Sequence, residues 1–130
     1  MIGFYGNIEK LTTENDNFRK VIFTGKNAQL VLMSLLPGEE IGNEVHSNVD
    51  QFFRIEKGEA KFVLDNGKEH HLAGNGDAVI VPAGTYHNVI NGSKTEKVKL
   101  YTIYSPPNHP ANTLQKTKAE ADRAEAAKHH

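Results

Sequence analysis

The chain has 130 residues, with 15 basic and 16 acidic side chains and no cysteine. That length fits one domain, 1–130, with a single core and one small cavity. The near-neutral charge, without a Lys/Arg block, argues against nucleic acid as a partner, and the lack of thiols excludes disulfides and thiolate ligands. The longest apolar run, Leu30 to Leu36, is interrupted by Ser34 and is too short to span a bilayer, so no membrane partner is expected. The N-terminus lacks a basic region followed by an apolar one, so a signal peptide is not expected and a cytoplasmic location is.

In chain order, residues 1–20 are mixed and polar, a tail that could pack on its own domain or on a partner subunit. Val21 to Thr24 reads as a short strand, Gly25-Lys26-Asn27 as a turn, and Gln29 to Leu36 as a strand covered on both faces. Pro37-Gly38 ends it. Residues 44–46 and 51–57 read as two strand pieces around the polar step 47–50. Gly58 marks a turn and Ala60 to Leu64 the next strand. Asp65-Asn66-Gly67-Lys68 predicts a hairpin, because Asn-Gly supplies the positive φ angles of a type I′ turn. His70 to Leu72, Ala78 to Val81, His87 to Ile90 and Val98 to Tyr104 complete eight or nine strands, the pattern of a sandwich or small barrel, with a barrel core over about 20–105. Ser105 to Pro110 predicts a stiff linker into a tail over about 106–130. There Thr117 to Lys128 carries the one helical signal, opened by a Thr117-x-x-Glu120 capping box and left solvent-exposed by its weak apolar face.

Four side chains are candidates for one metal ion: Glu44, His46, Gln51 and His87. Strand alternation points Glu44 and His46 the same way, puts Gln51 with Phe53 and Ile55, and puts His87 with Val89. If all three sets face inward on neighbouring strands, they converge inside a narrow barrel. Two imidazoles and a carboxylate with open positions suit non-haem Fe(II), and also Zn or Mn. Gln51 adds a neutral amide oxygen, or alternatively a hydrogen bond to bound water. His70 and His71 read as surface residues and His109 as a loop residue able to approach a cavity mouth. His129 and His130 read as a tail, and none of these five is counted as a ligand. Phe53, Ile55 and Val89 could wall a cavity or simply pack, and Met33 and Tyr101 could join them. No Arg or Lys cluster points clearly into that cavity, which argues against a polyphosphate substrate.

The segments Gly38 to Gly58 and Gly76 to Asn91 resemble the two motifs of the cupin superfamily. The second motif is matched throughout by Gly76, Pro82, Gly84, His87 and Asn91. The first is matched in spacing by Gly38, Glu44, His46, Gln51 and Gly58, with Glu44 where a His is usual and Gln51 where a Glu is usual. The resemblance implies an all-β fold, a cupin double-stranded β-helix or jelly-roll barrel with a short C-terminal helix. It implies one divalent ion (Zn, Fe, Mn or Ni) held by Glu44, His46, Gln51 and His87. It also implies a homodimer, which the apolar Ile2, Phe4, Tyr5 and Ile8 support. Zinc-dependent phosphomannose isomerases, also cupins, use the same ligand types with Gln and Glu exchanged. The functional expectation is therefore a metal-binding cupin acting on a small polar substrate, with isomerase-type chemistry on a sugar or keto/enol compound. The alternatives are a non-haem Fe(II) dioxygenase and a non-catalytic, even metal-free, small-ligand-binding cupin. The residues name no general base, and they do not decide whether the protein is an enzyme.

Overall fold

The computed structural model describes residues 2–128. The chain runs α1 (Ile8–Glu14), β1 (Arg19–Thr24), β2 (Gln29–Leu35), β3 (Asp50–Lys57), β4 (Ala60–Leu64), β5 (Glu69–Ala73), β6 (Ala78–Val81), β7 (His87–Ile90), β8 (Val98–Ser105), β9 (Leu114–Gln115) and α2 (Lys118–Lys128). Two antiparallel sheets face each other, one of six strands in the order β6-β3-β8-β2-β1-β9 and one of three in the order β5-β4-β7. This is the expected jelly-roll barrel with a C-terminal helix. No helix of the described residues is long and apolar enough to cross a membrane.

Alternation decides what each strand puts inside. Along β3 the inward set is Gln51, Phe53 and Ile55, all buried, with Phe52, Arg54 and Glu56 half-buried on the other face. The β3–β8 register sets Gln51 against Tyr104, Phe53 against Thr102 and Ile55 against Leu100. The β2–β8 register then adds Val31, Met33 and Leu35 to the same interior. Phe53 meets Phe62 of the smaller sheet edge-on, with ring centroids 5.1 Å apart, so an aromatic pair joins the two sheets at the core. Tyr101, a candidate for the cavity wall, instead lies outside, where its ring is 6.0 Å from that of Phe52. The β8 phase excludes it, because Leu100 and Thr102 on either side of it point inward.

The turns follow their chemistry. Asn66 and Gly67 take φ of 53° and 92°, and Lys68 N–H donates to Asp65 O at 3.2 Å. That is the expected type I′ geometry, and it sets Leu64 opposite Glu69. Three features depart from the sequence reading. Residues 8–14, read as an irregular tail, form α1, capped by the Asn7 side chain accepting from Lys10 N–H at 3.0 Å. This helix lies against β2, β3 and β8, which is how the nearly continuous apolar run of β2 is covered on both faces. β9, also unforeseen, is a two-residue strand that pairs with the start of β1. The strand piece at 44–46 reduces to a single bridge between Glu44 and His87.

Candidate metal centre

Glu44 and His87 face each other across that bridge: each backbone N–H donates to the other residue's carbonyl oxygen at 2.8 Å. His46, two residues on, returns its side chain to the same side. Gly84 N–H donates to His46 O at 2.8 Å and so ties this loop to the turn before β7. One donor atom from each of Glu44, His46 and His87 lies within 4.8 Å of the others, the only such cluster of three among the described residues. The two imidazole rings sit 5.4 Å apart.

The protonation state of the cluster suits a cation. His87 Nδ1 lies 3.0 Å from Thr85 O, and a carbonyl only accepts, so Nδ1 carries the proton and Nε2 keeps its lone pair. Burial holds the His87 pKa below the ordinary histidine value, which favours the neutral, ligating form. Burial works against ionising Glu44. The neighbouring His46, the Arg19 guanidinium and His87 outweigh it, and the carboxyl titrates below its usual range. His46 Nε2 lies 3.3 Å from Glu44 Oε2, yet without the alignment of a hydrogen bond, and this buried nitrogen has no hydrogen-bond partner.

Gln51 is buried on the inner face of β3. Its amide donates to Thr102 Oγ1 at 3.0 Å, which leaves Oε1 buried and without a partner. Orphaned buried acceptors are rare in folded proteins because each carries an uncompensated desolvation cost. With an orphaned imidazole nitrogen, an orphaned amide oxygen, a fixed His87 tautomer and an ionised carboxylate, the residues present fit a divalent ion.

Beside the cluster opens a cleft of about 500 Å³. Its lining includes Arg19, Glu44, His46, His109 and, from α2, Lys118 and Asp122. The helix therefore borders the site, although most of its surface is exposed as expected. Arg19, Lys118 and Lys128 line this cleft together with the acidic Glu44, Asp122 and Glu125. The structure also promotes Tyr104, which the sequence did not single out, and brings His109 to the cleft, as its loop reading allowed. Tyr104 is fully buried, its ring 5.9 Å from that of His46, and burial pushes its phenol up to about 12. Its hydroxyl lies 3.2 Å from His109 Nε2. Burial, with Arg19 nearby, drives the His109 imidazole down to about 3, so it is neutral. His109 reaches the cleft because the buried Gln29 side chain clamps its loop, donating to His109 O at 2.7 Å and accepting from the Asn108 and His109 N–H groups at 3.0 Å. A register count along β8 could have flagged Tyr104, since it shares the phase of Thr102; the Gln29 clamp leaves no trace in the local sequence. His70 and His71 lie on the exposed face of β5, away from the cluster, and His129 and His130 fall outside the described residues.

Fold and site together define a small two-sheet β-barrel with a two-histidine, one-carboxylate cluster at one end of its interior. The family model described as "Cupin domain" matches residues 31–104, and the chain belongs to the cupin family. It is 48% identical over 126 residues to the uncharacterised protein YrkC of Bacillus subtilis, covering 94% of this chain and 67% of that protein. It is 45% identical over 109 residues to the uncharacterised protein L612 of Acanthamoeba polyphaga mimivirus, covering 83% of this chain and 68% of that one. Among solved structures, the crystal structure of BH2720 from Bacillus halodurans superimposes with a TM-score of 0.89 at 41% identity, over 92% of this chain and 93% of that one.

Proposed function

We propose that this cupin is a metal-dependent enzyme that acts on a small polar molecule, with isomerase-type chemistry on a sugar or a keto/enol compound. One observation carries the reading. The buried, unpartnered His46 Nε2 and the free Nε2 of His87 meet the Glu44 carboxylate beside a cleft large enough for a small molecule. A divalent ion (Zn, Fe, Mn or Ni) would supply Lewis acidity, polarising a substrate carbonyl. Glu44, His46 and His87 would hold it, with Gln51 Oε1 as a neutral fourth donor. The chain's own residues add a proton-holding pair near that point. Tyr104 is a protonated phenol across the neutral range, and its hydroxyl shares a hydrogen bond with His109 Nε2. The proposal includes a cytoplasmic homodimer, supported by the exposure of Ile2 and Tyr5 near the N-terminus and tested by sedimentation equilibrium.

Elemental analysis of protein purified without added metal tests the centre. About one equivalent of a first-row divalent ion is expected, and His87→Ala should lower affinity for it by roughly 100-fold or more, since even outer-shell partners of a metal site are worth 10- to 100-fold. An unchanged metal content in that variant would show the site to be misplaced. The two-imidazole, one-carboxylate set also favours a second reading, a non-haem Fe(II) dioxygenase. Oxygen uptake by the Fe(II)-loaded protein with diketones and catechols decides it. A protein that binds no stoichiometric ion and gains no activity from added metal would instead be a non-catalytic binding module.

A further inference from the structure

Arg19 is the electrostatic anomaly of the cleft. Its side chain is only 6% exposed, and a guanidinium keeps its charge at any pH the fold survives. A buried cation without a counter-ion carries a large desolvation cost. The other cations of the cleft lining have acidic partners: Lys118 Nζ lies 2.5 Å from Asp122 Oδ1, and Lys128 Nζ lies 3.8 Å from Glu125 Oε2. Arg19 forms no ion pair among the described residues. Its Nη1 donates to the neutral Gln115 Oε1 at 2.7 Å, its Cζ sits 5.2 Å from the centroid of the Phe18 ring, and its Nε is buried without a hydrogen-bond partner. Arg19 thus stands as a buried positive charge without an ion-pair partner on the wall of a 500 Å³ cleft.

We propose that Arg19 is the anion-recognition residue of this cleft, and that the small molecule bound between Arg19 and the Glu44–His46–His87 cluster carries a carboxylate. A guanidinium presents planar, paired donors that match a carboxylate, and a charge-assisted bond exceeds a neutral one in strength. The proposal deepens the functional reading above and rests on it for the far end of the ligand. It narrows the substrate to a small oxo or hydroxy acid and sets aside neutral sugars.

The test is calorimetric titration of the metal-loaded full chain with 2-oxobutyrate and 3-hydroxybutyrate, each compared with its uncharged amide. At least one acid is expected to bind about tenfold or more tighter than its amide. Arg19→Gln should abolish that preference, whereas Arg19→Lys should keep part of it. Gln115→Ala, which removes only the strand-anchoring bond of Arg19, should leave the preference intact. Circular dichroism of each variant verifies the fold, and Arg19→Lys supplies the comparison if Arg19→Gln does not fold. The inference is overturned if acid and amide bind alike, if neither acid shows saturable binding at millimolar concentration, or if the preference survives Arg19→Gln or is lost in Gln115→Ala. Elemental analysis of the same samples separates the two readings: a wild-type protein without a stoichiometric ion sinks the metal centre, whereas a metal-loaded protein indifferent to the carboxylate sinks only the role of Arg19.

Discussion

Burial sets the chemistry of individual side chains at this site, and pH exposes it. His87 and His109 both have imidazoles held below the ordinary histidine value, chiefly by desolvation. In the unfolded chain they take up a proton near pH 6.5, whereas in the folded metal-free protein they refuse it until lower pH. The unfolded state therefore binds more protons in that window, so stability is fully present above about pH 6.5 and falls as pH drops towards the folded values. For His109 the window extends down to about 3, at a slope of about 1.4 kcal/mol per pH unit while one proton separates the states. Urea denaturation of the metal-free protein between pH 7 and 5 should show this loss, and His109→Gln should flatten the slope; an unchanged slope would place His109 in water. Asn91 shows a different division of labour within the second cupin motif. It is fully buried, and its amide donates to Leu35 O, Leu36 O and Glu96 O at 3.2, 3.1 and 2.8 Å. Asn91→Asp keeps the shape but turns the donor into an acceptor facing three carbonyls. A loss of about 3 kcal/mol in unfolding free energy is expected, without a change in bound metal per folded chain.

Among the elements, the turns carry the tightest backbone constraints. Gly58 joins β3 to β4 at φ +86°, and a Cβ there would stand 2.5 Å from Lys97 O, just before β8. Both the backbone angle and the backbone contact penalise any side chain, and neither can relax without moving the β3–β8 ladder. Gly58→Ala should cost about 2 kcal/mol or more, read as a lower denaturation midpoint at unchanged m-value. A cost within a few tenths of a kcal/mol would mean that the turn is soft. α2 opens on half of the expected capping box: Glu120 N–H donates to Thr117 Oγ1 at 3.1 Å, but Glu120 Oε2 accepts from Lys116 N–H at 2.5 Å, one residue before the N-cap N–H. Its weak apolar face predicts a solvent-exposed helix, and most of its surface is exposed. Ala121, its one buried residue, is enough to seat it along the cleft lining.

The whole molecule behaves as two sheets clamped through the Phe53–Phe62 pair, with the Glu44–His46–His87 cluster joining the segment between β2 and β3 to β7 of the smaller sheet. Because Glu44 and His46 come from the segment between β2 and β3 while His87 opens β7, an ion would cross-link segments that unfolding separates. Ligand linkage then predicts a stabilisation of about 2.7 kcal/mol at a free-metal concentration 100 times the dissociation constant. A chelator should lower Tm reversibly in the wild type and leave His87→Ala unmoved. Equal chelator sensitivity in both proteins would locate the stabilising ion elsewhere.

Periodicity and turn chemistry made most of this barrel legible in the sequence. The inward phase of Gln51, Phe53 and Ile55 and the Asn66-Gly67 hairpin are local signals that local sterics carry into the fold, while Glu44, His46 and His87 were picked out by the two motif spacings. α1 and β9 were not legible, since seven polar-rich residues and a two-residue strand hold their shape only against neighbours distant in sequence. The burial of Arg19 without a counter-ion, the Tyr104–His109 contact and the Gln29 clamp were likewise settled by tertiary packing. Each joins residues far apart in the chain, and a charge becomes costly or a pKa displaced only when other segments exclude water from it.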